Sequence, residues 1–172
     1  MVRFFRCHIL QSTRRVSAII LAFALLSGFL IGGYCTGYAD SLLLHLMRTA
    51  AFSRVSIVHL MPVLLLPFVF SAFAVYIGQR WLIFPIAFIK AFLLAYLTGA
   101  IRIFYPGSGV LLGVLLFFAD YLIMPVLCWF WFHCFRGRKE FPQICWCMLL
   151  LVLAIGYVDS YVVSPFLVSL LS

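Results

Sequence analysis

Three ionisable residues interrupt long apolar runs in this sequence: Lys90, Asp120 and Asp159. A charge at the centre of a membrane-crossing helix costs about 2.5–3.5 kcal/mol, so such groups are retained only where they pair or line a polar path. Measured from the turn around Gly107, Lys90 and Asp120 differ in depth by about four residues, or about 6 Å of helix, which a lysine stem spans. Asp159 is about as far from the basic stretch at residues 136–140 as Asp120 is. The three are therefore expected to form one polar cluster near mid-membrane. Arg102 lies about 12 Å from the depth of Asp120 and is expected to reach the outer surface instead.

Other reactive side chains are poorly arranged for chemistry. Cys7, Cys35, Cys128, Cys134, Cys145 and Cys147 form no C-x-x-C pair and no zinc-ligand series. Cys145 and Cys147 sit about 200° apart around a helix, so one face does not offer both to a metal, and no metal or cofactor is expected. His45, His59 and His133 are scattered, and His8 belongs to the basic N-terminus. Gly107-Ser108-Gly109 lacks the preceding glycine and the later histidine of an intramembrane serine protease, so no catalytic residue is assigned and no enzyme is expected.

The elements that must hold these residues follow from composition. The chain has 172 residues, 67% hydrophobic and 9% charged, far below the roughly 25% charged residues of soluble domains. It is expected to be an all-α, polytopic integral membrane bundle, one domain over residues 1–172, with about five spans. These are residues 16–37, 55–77, 82–104, 110–134 and 144–164, each uncharged enough and long enough to cross about 30 Å of hydrocarbon. Residues 38–54 mix Asp40, His45, Arg48 and Arg54 with leucines and read as an interfacial helix. Pro62 and Pro67 are expected to kink the second span, and residues 166–172 to lie at the interface as an apolar tail. The first apolar run exceeds the roughly 7–15 residues of a secretory signal and is expected to stay as an anchor.

The formal charge of +8 sits in short inter-helix segments and near the N-terminus, without the interleaved aromatics of a nucleic-acid surface. No nucleic acid is expected. Arg3, Arg6, Arg14, Arg15, Arg80, Arg136, Arg138 and Lys139 fall on one side when the N-terminus is cytoplasmic, which places the C-terminus outside.

Helices in lipid associate through close backbone approach, so small residues at four-residue spacing mark their contacts. Ala87, Ala91, Ala95, Thr98, Gly99 and Arg102 share one face of the third span, and Gly109, Gly113 and Asp120 share one face of the fourth. These two are expected to pack face to face. Gly28-x-x-x-Gly32 and Gly33-x-x-x-Gly37 make the first span another close-packing helix, a pattern that also admits a homo-oligomer.

Three stretches of the later spans resemble the stage II sporulation protein M family of small bacterial membrane proteins. Phe84-Pro85-Ile86-Ala87-Phe88-Ile89-Lys90-Ala91-Phe92 looks like its apolar-Pro stretch leading into Phe-x-Lys-Gly-Phe, with Ala91 for glycine. Asp120-Tyr121-Leu122-Ile123-Met124-Pro125 is similar to the family's next polar-then-Pro segment, often Pro-Gln-Asn. Gly156-Tyr157-Val158-Asp159-Ser160-Tyr161-Val162-Val163-Ser164-Pro165 looks like its closing pattern, with Asp159 for Glu and Ser164 for Asn. The likeness covers roughly residues 55–168. It singles out Phe88, Lys90, Phe92, Asp159 and Pro165, and implies a non-enzymatic scaffold in the bacterial cell membrane. Its partners would be the peptidoglycan-degrading stage II sporulation proteins D and P during engulfment. The alternative drawn from the residues alone is a small membrane transporter or transporter subunit using Lys90, Asp120 and Asp159.

Overall fold

The computed structural model describes residues 2–38, 57–105, 107, 109–135, 141–163 and 165–166. Among them there are helices and turns and no strand. Helix α1 is Val2–Cys35, followed by a 3-10 turn at Thr36–Tyr38; α2 is Ile57–Tyr76; and α3 is Ile83–Phe104, preceded by a 3-10 turn at Arg80–Leu82. Then come α4, Gly109–Leu116, α5, Phe118–Cys134, and α6, Phe141–Val158, which runs into a π-turn at Asp159–Val163.

Val16–Tyr38, Arg80–Ile103 and Gln143–Val163 are each long and apolar enough to cross a membrane, and Leu64–Tyr76 and Phe118–Cys134 are shorter apolar helices. The solvent-facing side chains fit a lipid environment: Phe23, Leu30, Phe73, Trp146 and Leu150 are all more than half exposed. In water such a surface would associate; in hydrocarbon it is simply the outside of the bundle. The segments 39–56 and 167–172, with the expected interfacial helix and apolar tail, lie outside the described residues.

Two expected spans differ in shape. The fourth is not one rod but two, interrupted at Phe117, whose φ of −109° and ψ of 29° leave the helical basin. The fifth widens into the π-turn four turns of chain after it begins, just before Pro165. Proline has no N–H and its ring crowds the carbonyl four residues back, here that of Tyr161, so the helix cannot close normally there. The second span, by contrast, stays helical through Pro62 and Pro67. The first extends as helix far into the basic N-terminal stretch.

The partner of α3's small face also differs from expectation. A Cβ on Gly28 would lie 2.6 Å from the Phe88 carbonyl oxygen and 3.0 Å from the Ala91 Cβ, and one on Gly32 would strike the Phe92 oxygen and lie 3.1 Å from the Ala95 Cβ. Ala91 and Ala95 thus face α1, and Gly99 faces Thr36 in the 3-10 turn that follows it. Only the far end of the row meets α4, with Gly113 against Thr98 and Gly109 against the backbone of Arg102. A flat small face 22 residues long is wide enough for two neighbours, and α1, with its own Gly-x-x-x-Gly, takes the larger share. Gly33 and Gly37 meet nothing within 4 Å.

On the other side of α3, helices α2, α5 and α6 close around a core containing Leu64, Phe68, Ala87, Ile123, Leu127, Phe130, Trp131, Met148 and Val152. The chain reverses between α2 and α3 at Gly78, whose φ of 81° suits glycine, and after α3 at Gly107, with φ of 103°.

Candidate functional site

Lys90 lies on α3 between the face that meets α1 and the face that meets α5. Its Nζ donates to Asp120 Oδ1 in an ion pair, the only one among the described residues. The two side chains are 11% and 17% exposed, so the pair is enclosed by helices rather than lying on the surface. Asp120 stands in the first turn of α5, where helix N–H groups favour an acid. The shorter reach across the bundle is the one the depth count selects, and Arg102, exposed at the end of α3, takes no part.

Asp159 is the first residue of the π-turn and is 7% exposed. Its carboxylate faces the backbone N–H of Ala119 and lies within electrostatic range of Asp120. This contact follows from the interruption at Phe117. A helix starting at Phe118 leaves its first N–H groups without carbonyls four residues back, and Phe117 itself offers no side-chain cap. Asp159 supplies one from another helix. The ladder resumes on either side, with Phe117 N–H donating to Gly113 O at 3.1 Å and Tyr121 N–H to Phe117 O at 3.0 Å.

Next to Asp159, the Ser160 hydroxyl oxygen is buried and has no hydrogen-bond partner. Thr98 Oγ1 and Tyr121 Oη are 2.9 Å apart, a second polar link between α3 and α5. Deeper in the core, Trp131 Nε1 donates to Ser71 Oγ at 2.7 Å, and Ser71 Oγ donates to the Pro67 carbonyl at 2.6 Å. A buried indole N–H needs such an acceptor, and Ser71 is fully buried beside it. Sequence reasoning missed these features and the Phe117 break. The Phe117 break carries no glycine or proline to announce it, whereas Ser71 and Ser160, polar residues inside apolar runs, were signals left unread.

Of the residues singled out by motif, Lys90 and Asp159 lie at this junction. Phe88 and Phe92 stack along α3 with ring centroids 6.3 Å apart, and Pro165 follows the π-turn. His133 holds its Nδ1 2.9 Å from the Trp129 carbonyl, with ring centroids 4.3 Å apart, at the opposite end of α5 from the junction. Cys134 is buried and Cys145 packs against the same core, while Cys147 is exposed. Among the described residues, no group of three or more His, Cys, Asp or Glu could hold a metal ion.

Chemically, the junction joins α3, α5 and the π-turn through one lysine, two acids and freed backbone groups. The Lys90–Asp120 pair is neutral as a unit; Asp159 is a third buried charge. No known protein-family model, curated protein or solved structure matches this chain.

Proposed function

We propose that the chain is a non-enzymatic membrane scaffold of the stage II sporulation protein M kind. In this reading it sits in the bacterial cell membrane with its N-terminus cytoplasmic and its C-terminus outside. It holds membrane-anchored peptidoglycan hydrolases in place during engulfment. The observation that carries the reading is the convergence of Lys90 and Asp159 on one inter-helix junction. Those are two of the residues on which the family resemblance rests, and their polar groups lie where helices meet. A scaffold needs such fixed helix register, and an enclosed ion pair supplies it at the cost of stability. Lipid-facing aromatic and aliphatic faces on α1 and α6 are the surfaces left for partner helices.

The test is affinity capture of the tagged chain from sporulating cells in mild detergent. Co-purification of stage II sporulation proteins D and P supports the scaffold. Their absence, with the bundle intact, overturns it. Reporter fusions at the two termini test the orientation separately.

A second reading, a small transporter or transporter subunit, is favoured by the unpartnered Ser160 hydroxyl beside Asp159. Proteoliposome flux lost in Asp120→Asn and Asp159→Asn variants would support it, and absence of flux with the parent protein would remove it.

A further inference from the structure

We propose that the junction between the Phe117 break and the π-turn is a binding site for a small monovalent cation, sodium, held by Asp159, Ser160 and the carbonyl end of α4. The first ground is charge. Lys90 neutralises Asp120 within their ion pair, so Asp159 leaves the enclosed cluster one negative unit in excess. An isolated carboxylate in hydrocarbon is costly, and a single positive charge brings the cluster to neutrality.

The second ground is the set of oxygens. Helix α4 ends at Leu116, and a helix end leaves its last carbonyls without intrahelical donors. The Gly113 oxygen is taken by the Phe117 N–H, which leaves those of Val114, Leu115 and Leu116. They end one turn from Ala119, whose N–H faces the Asp159 carboxylate. Carboxylate, hydroxyl and backbone carbonyl oxygens are the ligands of hard cations. Two interrupted helices meeting inside a bundle, one offering carbonyls at its break, is the arrangement by which membrane proteins bind sodium.

The third ground is independent of both. The Ser160 hydroxyl oxygen is shut off from solvent, with an accessible area under 1 Å², and accepts and donates nothing. Buried polar atoms are almost always hydrogen-bonded, so a hydroxyl oxygen enclosed without a partner calls for one. In the wide π-turn the buried Asp159 is followed directly by Ser160, which is half-buried with its hydroxyl oxygen enclosed, while Tyr161 and Val162 are exposed. The site requires binding alone, so it stands whether the bundle transports or anchors.

The test uses the full chain in lipid nanodiscs, with radioactive sodium binding and thermal unfolding both measured in sodium chloride against N-methylglucamine chloride at fixed ionic strength. The expected result is saturable binding of about one sodium per chain with a raised unfolding temperature. Binding should vanish in Asp159→Asn, weaken about 10-fold in Ser160→Ala, and persist in Arg102→Gln. Absence of saturable binding to the folded parent overturns the site. So does undiminished binding in Ser160→Ala, a variant expected to fold even if Asp159→Asn does not. A protein stabilised by protons and indifferent to sodium would also overturn it.

Discussion

Adding one methyl group to α1 should have opposite effects on adjacent turns of the same helix. In Gly28→Ala the new Cβ would stand 2.6 Å from the Phe88 carbonyl oxygen and 3.2 Å from the Phe92 nitrogen, both backbone atoms of α3. Backbone cannot swing aside like a side-chain tip. Restoring an ordinary contact near 3.4 Å therefore requires the two helices to part by about 0.8 Å. A gap of that size forfeits a quarter to a half of each dispersion contact along the seam, and overpacking of this kind costs about 1–3 kcal/mol. Gly32→Ala is expected to be worse, because its Cβ meets the Phe92 oxygen closer still. The added Cβ of Gly33→Ala or Gly37→Ala meets nothing within 4 Å; relieving glycine inside α1 is worth up to about 1 kcal/mol at Gly33, and Gly37, in the 3-10 turn, should be near neutral. Equilibrium unfolding by sodium dodecyl sulfate in mixed micelles, followed by tryptophan emission, measures all four. If Gly28→Ala and Gly33→Ala shift the midpoint equally, the packing of α1 on α3 described above is wrong.

Three further outcomes follow from the polar links. Lys90→Met leaves the Asp120 carboxylate unpaired and should cost about 3–5 kcal/mol in the same assay, whereas Lys90→Met with Asp120→Leu should recover much of it. Ser71→Ala strands the buried Trp131 N–H and is expected to cost about 1–3 kcal/mol, with a change in tryptophan emission that Ser27→Ala, whose hydroxyl bonds the Ala24 carbonyl, does not produce. Tyr121→Phe removes only the link to Thr98 and should cost about 0.6 kcal/mol, the usual size for a hydrogen bond between membrane helices.

The all-helical, membrane-crossing character was legible because it rests on composition and run length, which no packing detail can reverse. The Lys90–Asp120 pairing was legible too, since two rods joined by a short turn place residues at depths that can be counted. What could not be read was which neighbour a small face would choose. Ala91 and Ala95 offer the same spacing to Gly109 and Gly113 as to Gly28 and Gly32, and periodicity ranks neither. Nor was the interruption at Phe117 visible. Its backbone leaves the helix without glycine or proline, at the level where Asp159, from a distant stretch of chain, takes up the Ala119 N–H. Tertiary competition for a backbone donor has no local signature.

The ion pair between Lys90 and Asp120 links residues separated by 30 positions, and that interval is also a time. Ribosomes add about 5–20 residues per second, so the lysine emerges roughly 1.5–6 seconds ahead of its counter-charge. A cationic segment waiting alone in lipid would be the least favourable moment of biogenesis. The hairpin of α3 with α4 and α5 should therefore leave the insertion channel as a unit, the lysine lingering at the channel or a chaperone until the aspartate arrives.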